Sequence, residues 1–303
     1  MTTTTTTPPA TSGSGDAPKA TRRPRPAGRP QGGGWSQSII TTSLWLYALI
    51  AVVPLIVMVT NSLRTNRDLA TEPLGMPFPP DFSSYGRAWI EASFSTYFWN
   101  SIVVTVSSVA ISTAVSLLAA YALARSRSKL MAVVESVFIS GLMMPVFLMI
   151  VPIFYLLDSF DLVSTRLGLV LVYAAVSIPF SVFVLTTFFR QLPGELEEAA
   201  RLDGAGPFRM FWSVMAPLVR PAIATVVVFR FVPIWNDFFY PLILIRNREN
   251  YTLPVGLTTF FGEYQTDWST LFAGLVIATL PLVLLFLVAT KQIITGLTAG
   301  MGK

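Results

Sequence analysis

Two groups of residues in this 303-residue chain have types and spacing that support chemistry. The first is Glu198-Ala199-Ala200-Arg201-Leu202-Asp203-Gly204, with Pro217 further on, and the second is the pair Asn236 and Asp237. The first is a polar, helix-forming run closed by a glycine and set between two long apolar runs. Its chemistry is recognition. Leu196, Ala199 and Ala200 form a helix face of little bulk, so the groove of a soluble partner can approach the backbone closely. In the second group a carboxylate and an amide sit inside an apolar run, flanked by Pro233 and Pro241. Ionisable groups at such depth are costly and face a bundle interior or a water-filled cavity. Asn236 and Asp237 are therefore candidates for lining a pathway, where they would hydrogen-bond solute hydroxyls, or for an interhelical or inter-subunit packing contact with a structural polar bond. Arg230, seven residues before Asp237, shares nearly the same helix face but lies ~10 Å along the axis.

The composition removes most other chemistries. The chain has no cysteine and no histidine. Disulfides, thiolate nucleophiles, cysteine or histidine zinc sites, Ser-His-Asp triads and histidine relays are therefore excluded. No catalytic and no metal-binding set is visible. A nucleotide-binding Gly-x-x-x-x-Gly-Lys-Ser/Thr loop is also missing. The ending Gly300-Met301-Gly302-Lys303 is glycine-rich but lacks the hydroxyl. The pI near 9.6 does not indicate nucleic acid, because the basic residues are dispersed along loops.

These residues must be positioned by membrane-spanning helices. The chain is 53% hydrophobic and 12% charged, with a mean hydropathy of +0.62. Several runs exceed the ~20 apolar residues that cross a hydrocarbon core. An all-α polytopic membrane protein is expected, with six spans near 39–61, 99–123, 131–157, 167–189, 222–245 and 269–290. Residues 1–34 hold a threonine run, six prolines and a basic cluster, and read as a disordered basic tail. The remainder, 35–303, is one six-span domain with a polar loop at 190–221 and a tail at 291–303. Fourteen Lys and Arg fall on the side of the termini and six on the other. By the positive-inside rule both termini and the 190–221 loop are cytoplasmic. The long outer loop from Arg64 to Phe98, with Pro73, Pro77, Pro79, Pro80, Tyr85 and Trp89, reads as an ordered cap, although an inert connector fits its composition equally. Pro145, Pro152 and Pro179 are expected to bend spans three and four.

Within the loop, Pro193 suits the first turn of a helix. Glu195, Glu197 and Glu198 follow where the helix dipole favours negative charge. Glu197 and Arg201, four apart, can pair. Gly204 ends the helix in a left-handed cap, and Pro207 starts the next, which carries Phe208, Phe211, Trp212 and Met215. A segment that merely lies on the membrane surface between two spans is the competing reading.

Glu198-Ala199-Ala200, Gly204 and Pro217 resemble the EAA loop of ABC-importer permeases, with Val214 and Ala216 where that family usually has isoleucine and leucine. Arg190-Gln191-Leu192-Pro193, Trp235-Asn236-Asp237-Phe238 and Gly296-Leu297-Thr298-Ala299-Gly300 are similar to segments of the carbohydrate-type members. The likeness covers about residues 40–303 and is nearest to the second permease of maltose-type systems. It implies a non-catalytic subunit of a sugar importer in a bacterial-type plasma membrane. The implied partners are a second permease, two cytoplasmic ATPases that hold ATP and magnesium, and an extracytoplasmic sugar-binding protein. This chain itself would carry no cofactor. Also implied is that Glu198, Ala199, Ala200, Asp203 and Gly204 form the ATPase-coupling helix, and that Gly296, Thr298 and Gly300 belong to a tail touching the ATPase.

The principal alternative is an ion-coupled secondary carrier. It needs no docking loop, and its proton path would rest on Asp237, since Glu135 lies near a span end. No internal repeat of the kind many carriers show is evident. A membrane-embedded enzyme has no nucleophile, base or metal set to stand on.

Overall fold

A computed structural model describes residues 1–4, 34–260 and 267–299 of the chain. The expected basic tail therefore lies, for residues 5–33, outside the described residues. Among those described the architecture is helical. A chain in hydrocarbon has no water to satisfy its backbone, and a helix satisfies it internally. The principal elements are α1 (Gly34–Ser62), α2 (Asn66–Thr71), α3 (Phe94–Arg125), α4 (Lys129–Leu142) and α5 (Ile150–Asp158). They continue with α6 (Arg166–Gln191), α7 (Glu195–Leu202), α8 (Arg220–Asn236), α9 (Phe239–Leu244) and α10 (Trp268–Ala299). Four of them, α1, α3, α6 and α10, are each long and apolar enough to cross a membrane, and six crossings result if each of two bent pairs counts as one.

The first bent pair falls where a bend was expected at Pro145, inside the span near 131–157, and the second bends at about residue 219, just before the span expected at 222–245. The helices Lys129–Leu142 and Val146–Asp158 meet at 98°, and Pro207–Leu218 meets Arg220–Asn236 at 72°. Pro145 takes an extended conformation in the first break. It has no N–H to continue α4, and proline disfavours helix at the residue before it. Pro152 falls in the first turn of α5, where a missing donor is harmless. Pro179 does not end α6, which remains one helix through it. Its ring instead meets α4 at Gly141, where an added Cβ would lie 3.0 Å from the Pro179 Cγ. The span expected to 245 stops at Asn236 and resumes at Phe239. Pro241 has no N–H to give the Asp237 carbonyl four residues earlier, so an unbroken helix would lose that bond.

The packing centre of residues 53–303 is α3 against α6. Ser101, Thr105, Ser108, Ser112, Ser116 and Ala120 of α3 are all buried, at spacings of three and four that align them on one face. On α6, Ser177, Ser181 and Thr186 are buried. Small residues let helix backbones approach closely where the solvent is lipid. The Ser108 hydroxyl donates to its own Val104 carbonyl at 2.6 Å and reaches the Val170 carbonyl of α6 at 3.3 Å. Three apolar clusters are stacked along this pair. One holds Phe94, Tyr97, Trp235 and Leu271, the next Val104, Leu169, Tyr173 and Leu244, and the third Leu117, Phe189, Phe211 and Met215.

The long first loop is ordered and tied to other elements. Arg64, 3% exposed, donates to the carbonyls of Asp68, Glu72 and Pro73. Thr65 and Asp68 close a reciprocal cap on α2. Asn66 donates to Asp267 at 2.7 Å, and Arg87 reaches Ser269, Thr270 and Asp267, so α2 and the first loop are clamped to the start of α10. Asp267 is held by these bonds as an ionised cap. Burial pushes its carboxyl up, but hydrogen bonds from Thr270, Asn66 and Ser269 outweigh that and bring it down to about 2. The later loop is pinned to α3, since Asn100 donates to the carbonyls of Glu249 and Tyr251.

Candidate functional site

The 190–221 segment is built as a short helix held from both ends. At its entrance Arg190 makes a two-pronged contact with Glu135 of α4, at 2.8 and 2.6 Å. The helix begins at Glu195, two residues after the expected Pro193, whose carbonyl accepts from Leu196 N–H at 3.3 Å. Glu195, Glu197 and Glu198 occupy the first turn as the dipole argument expects. The exit is a two-bond glycine cap. Gly204 has φ +77°, its N–H donates to the Arg201 carbonyl at 3.0 Å, and Ala205 N–H donates to the Ala200 carbonyl at 2.9 Å. Pro207 then opens the next helical turn.

Two expectations for this helix are corrected. Glu197 does not pair with Arg201. It turns inward and accepts from Arg125 Nε at the end of α3, at 2.6 Å, while Arg125 also donates to the Leu192 carbonyl. Arg201 is exposed, so the i, i+4 partner loses to a tertiary one on the packed face. The small-residue face also divides. Ala200 is buried at 8% exposure among Met210, Phe211 and Met215, whereas Leu196 and Ala199 face outward. Their outward neighbours are Glu195, Glu198, Leu202 and Asp203. Leu202 is 89% exposed and Phe208 is 77% exposed. The outer face is thus an apolar patch edged by carboxylates, an arrangement suited to a groove with an apolar floor and basic rim. Sequence reasoning missed Arg125 and Glu135, although a charge at each span end next to a loop of opposite charges was a usable signal.

The second group gathers at the break between α8 and α9. Asp237 fills it. Its Oδ2 accepts the Tyr173 hydroxyl at 2.6 Å and the Tyr240 N–H at 3.3 Å, and its Oδ1 accepts the Phe239 N–H at 3.1 Å. Asn236 is separated from it in role, being exposed and donating back to the Val232 carbonyl at 2.9 Å. The two therefore do not form one polar site. Arg230 lies over the Phe180 ring at 4.2 Å and forms no ion pair with Asp237. Asp237, Tyr173, Tyr240 and Arg230 share the wall of a cavity of about 220 Å³. At the far end of the chain, Gly296 and Thr298 lie on the helical backbone of α10, and Gly300 lies outside the described residues.

Comparison with known proteins fits this geometry. Residues 112–297 match the family described as binding-protein-dependent transport system inner membrane component. A diacetylchitobiose uptake system permease protein of Streptomyces coelicolor is 35% identical over 85% of this chain and 86% of that protein. A melibiose/raffinose/stachyose import permease protein of Bacillus subtilis is 32% identical over 88% of this chain and 97% of that protein. In fold, the chain resembles a crystal structure of a bacterial ABC transporter involved in the import of the acidic polysaccharide alginate. The TM-score is 0.76 at 24% identity, over 85% of this chain and 96% of the other.

Proposed function

This chain belongs to the family of binding-protein-dependent transport system inner membrane components, and we propose that it serves as the permease of a sugar importer. It is a membrane-embedded, non-catalytic permease subunit. Its cargo is a sugar or oligosaccharide, as the names of its relatives suggest, delivered by an extracytoplasmic binding protein. A second permease subunit completes the pathway. Two cytoplasmic ATPases bind ATP and magnesium and drive the cycle. The 190–221 loop and both termini are on the cytoplasmic side, in accord with the charge asymmetry of the loops.

The observation that carries the coupling role is the combination of an outward apolar face on α7 with an inward ion pair on the same helix. Leu196, Ala199 and Leu202 offer the ATPase a surface edged by Glu198 and Asp203. On the opposite face Glu197 grips Arg125, so displacement of α7 pulls on the end of α3. Because α3 packs along α6, the pull is delivered to the centre of the bundle. Gly204 sets the angle at which α7 leaves, and its conformation is one that β-branched residues resist.

The ion-coupled carrier reading loses both of its carboxylates. Glu135 is engaged by Arg190, and Asp237 by a hydroxyl and two N–H groups, so each carboxylate has a structural role within the chain.

Copurification tests the role. The assembled wild-type permease is expected to retain its ATPase, and Glu198→Lys to lose ATPase and uptake while inserting at normal abundance. Normal uptake in that variant would remove α7 from the coupling path. Cysteine at exposed Ser213 is expected to react only with membrane-permeant reagents, and cysteine at exposed Ser83 with impermeant ones. Labelling of position 213 from outside would invert the topology.

A further inference from the structure

Arg230 has no structural assignment in the coupling scheme. It lies in the interior of α8, ten residues from the helix start and six from its end. The Nε is buried and has no hydrogen-bond partner among the described residues. The ion pairs among those residues are Arg87–Asp267, Arg125–Glu197 and Arg190–Glu135, and none includes Arg230. Its guanidinium carbon lies 4.2 Å from the centre of the Phe180 ring. A guanidinium in a membrane-spanning helix is costly and is normally matched by an opposite charge or by carbonyls. A ring face offsets only part of that cost.

The guanidinium borders the cavity of about 220 Å³ whose wall also includes Phe147, Tyr173, Ser177, Asp237 and Tyr240. Asp237 is the carboxylate on that wall, and it is committed to Tyr173 and to two backbone N–H groups. The cavity therefore presents a cation with no ion-pair partner among the described residues, a carboxylate whose oxygens already hold three donors, aromatic faces and a serine. Its volume is below the ~300–1,000 Å³ of pockets that hold drug-sized molecules, which limits an occupant to about one ring with one substituent.

We propose that this cavity is an anion-selective subsite that receives the carboxylate or sulfate of an acidic sugar, with Arg230 as the recognising residue. A planar guanidinium presents a fork of N–H donors that matches a carboxylate in two-pronged fashion. The aromatic side chains supply the apolar faces on which a sugar ring rests. This inference rests on the permease reading and adds to it a substrate class, acidic rather than neutral saccharides.

The test uses the purified complex of this permease with its partner subunits, without binding protein, and saturation-transfer NMR with D-glucuronate, D-glucose and inorganic phosphate as probes. The wild-type complex is expected to bind glucuronate in preference to both other probes. Arg230→Gln is expected to weaken glucuronate about tenfold, the effect of losing one charge-assisted contact, with glucose unchanged, and Arg230→Lys to recover part of the loss. Equal binding of glucuronate and glucose by the wild type overturns the proposal and needs no variant. Phosphate competing as well as glucuronate overturns the sugar assignment and leaves a bare anion site. Unchanged glucuronate binding in Arg230→Gln overturns the role of Arg230. Loss of assembly in Arg230→Gln, with no glucuronate preference in the wild type, overturns the subsite and makes a neighbouring subunit's carboxylate the partner. In each of these cases, retention of the ATPase by the wild-type complex leaves the permease reading standing.

Discussion

At Gly204 and at Asp237 the chain interrupts one helix and starts another, and the two interruptions are built from different materials. At Gly204 the turn is made by backbone alone, with φ +77°, two N–H groups returned to the helix end, and no side chain within contact of the missing Cβ. At Asp237 the turn is made by a side chain, which collects the Phe239 and Tyr240 N–H groups and is itself held by Tyr173. The difference follows from the solvent. A loop in water can leave carbonyls and carboxylates to hydration, so glycine suffices and the outer face stays available to a partner. Inside the bilayer each backbone group freed by a break must find a protein partner, and a carboxylate that accepts three bonds serves several groups at once. A polar residue in a span is thus here part of the helix break, and Asn236 beside it does not share that work.

The largest expected effect comes from removing the membrane-side device. Asp237→Leu leaves the Tyr173 hydroxyl and two N–H groups without an acceptor, each worth about 1–3 kcal/mol when buried. The yield of assembled complex should fall severalfold, while Asp237→Asn, which keeps a carbonyl oxygen, should retain most of it. Equal yields, measured by size-exclusion chromatography, would break the comparison.

Next in size is the water-side device. Gly204→Val forces a β-branched residue to positive φ at a strain of about 1–3 kcal/mol. Nothing within 4 Å obstructs the new side chain, so the effect is conformational and not steric. Insertion should be normal and ATP-dependent uptake lost, and uptake at wild-type rate would show that the cap angle is irrelevant.

A smaller effect is expected at the clamp. A double-mutant cycle of Arg125→Gln and Glu197→Gln should give a coupling energy of about 0.5–3 kcal/mol in thermal unfolding of the complex. Each single variant should also reduce the uptake driven per ATP hydrolysed. Additive single effects would mean that α7 and α3 move independently.

The smallest effect concerns the loop at the start of α10. Asp267 is held at about 2, below the ordinary carboxylate value, by Thr270, Asn66 and Ser269 against the opposing effect of burial. A depressed value means that the native state favours the ionised form. Its contribution is complete above about pH 4 and is lost as pH falls through about 2. Thermal stability should therefore show no dependence on this group between pH 5 and 8, and Asp267→Asn should lower stability in that range and not near pH 2. A difference confined to low pH would reverse the sign and refute the assignment.

Much of this was readable in one dimension. Apolar runs of span length, separated by polar loops, imply helices because lipid leaves the backbone no other partner, and the placement of these runs agrees with α1, α3, α6 and α10. The cap at Gly204 was equally local, since only glycine takes that conformation at little cost. What the chain alone did not determine was which partner each polar group takes. Glu197 had a neighbour four residues away in Arg201 and took Arg125, 72 residues away, because packing turned that face of α7 inward. Ala199 and Ala200 are identical in type and adjacent, yet one faces outward and the other is buried. Proline gave the same local signal at 145 and 179, but only at 145 did the helix end, because at 179 the surrounding α3 and α4 pack closely around α6. Helix formation and capping are decided within a few residues and so are legible in sequence. Pairing across helices depends on which faces meet, and that is decided only when the helices pack.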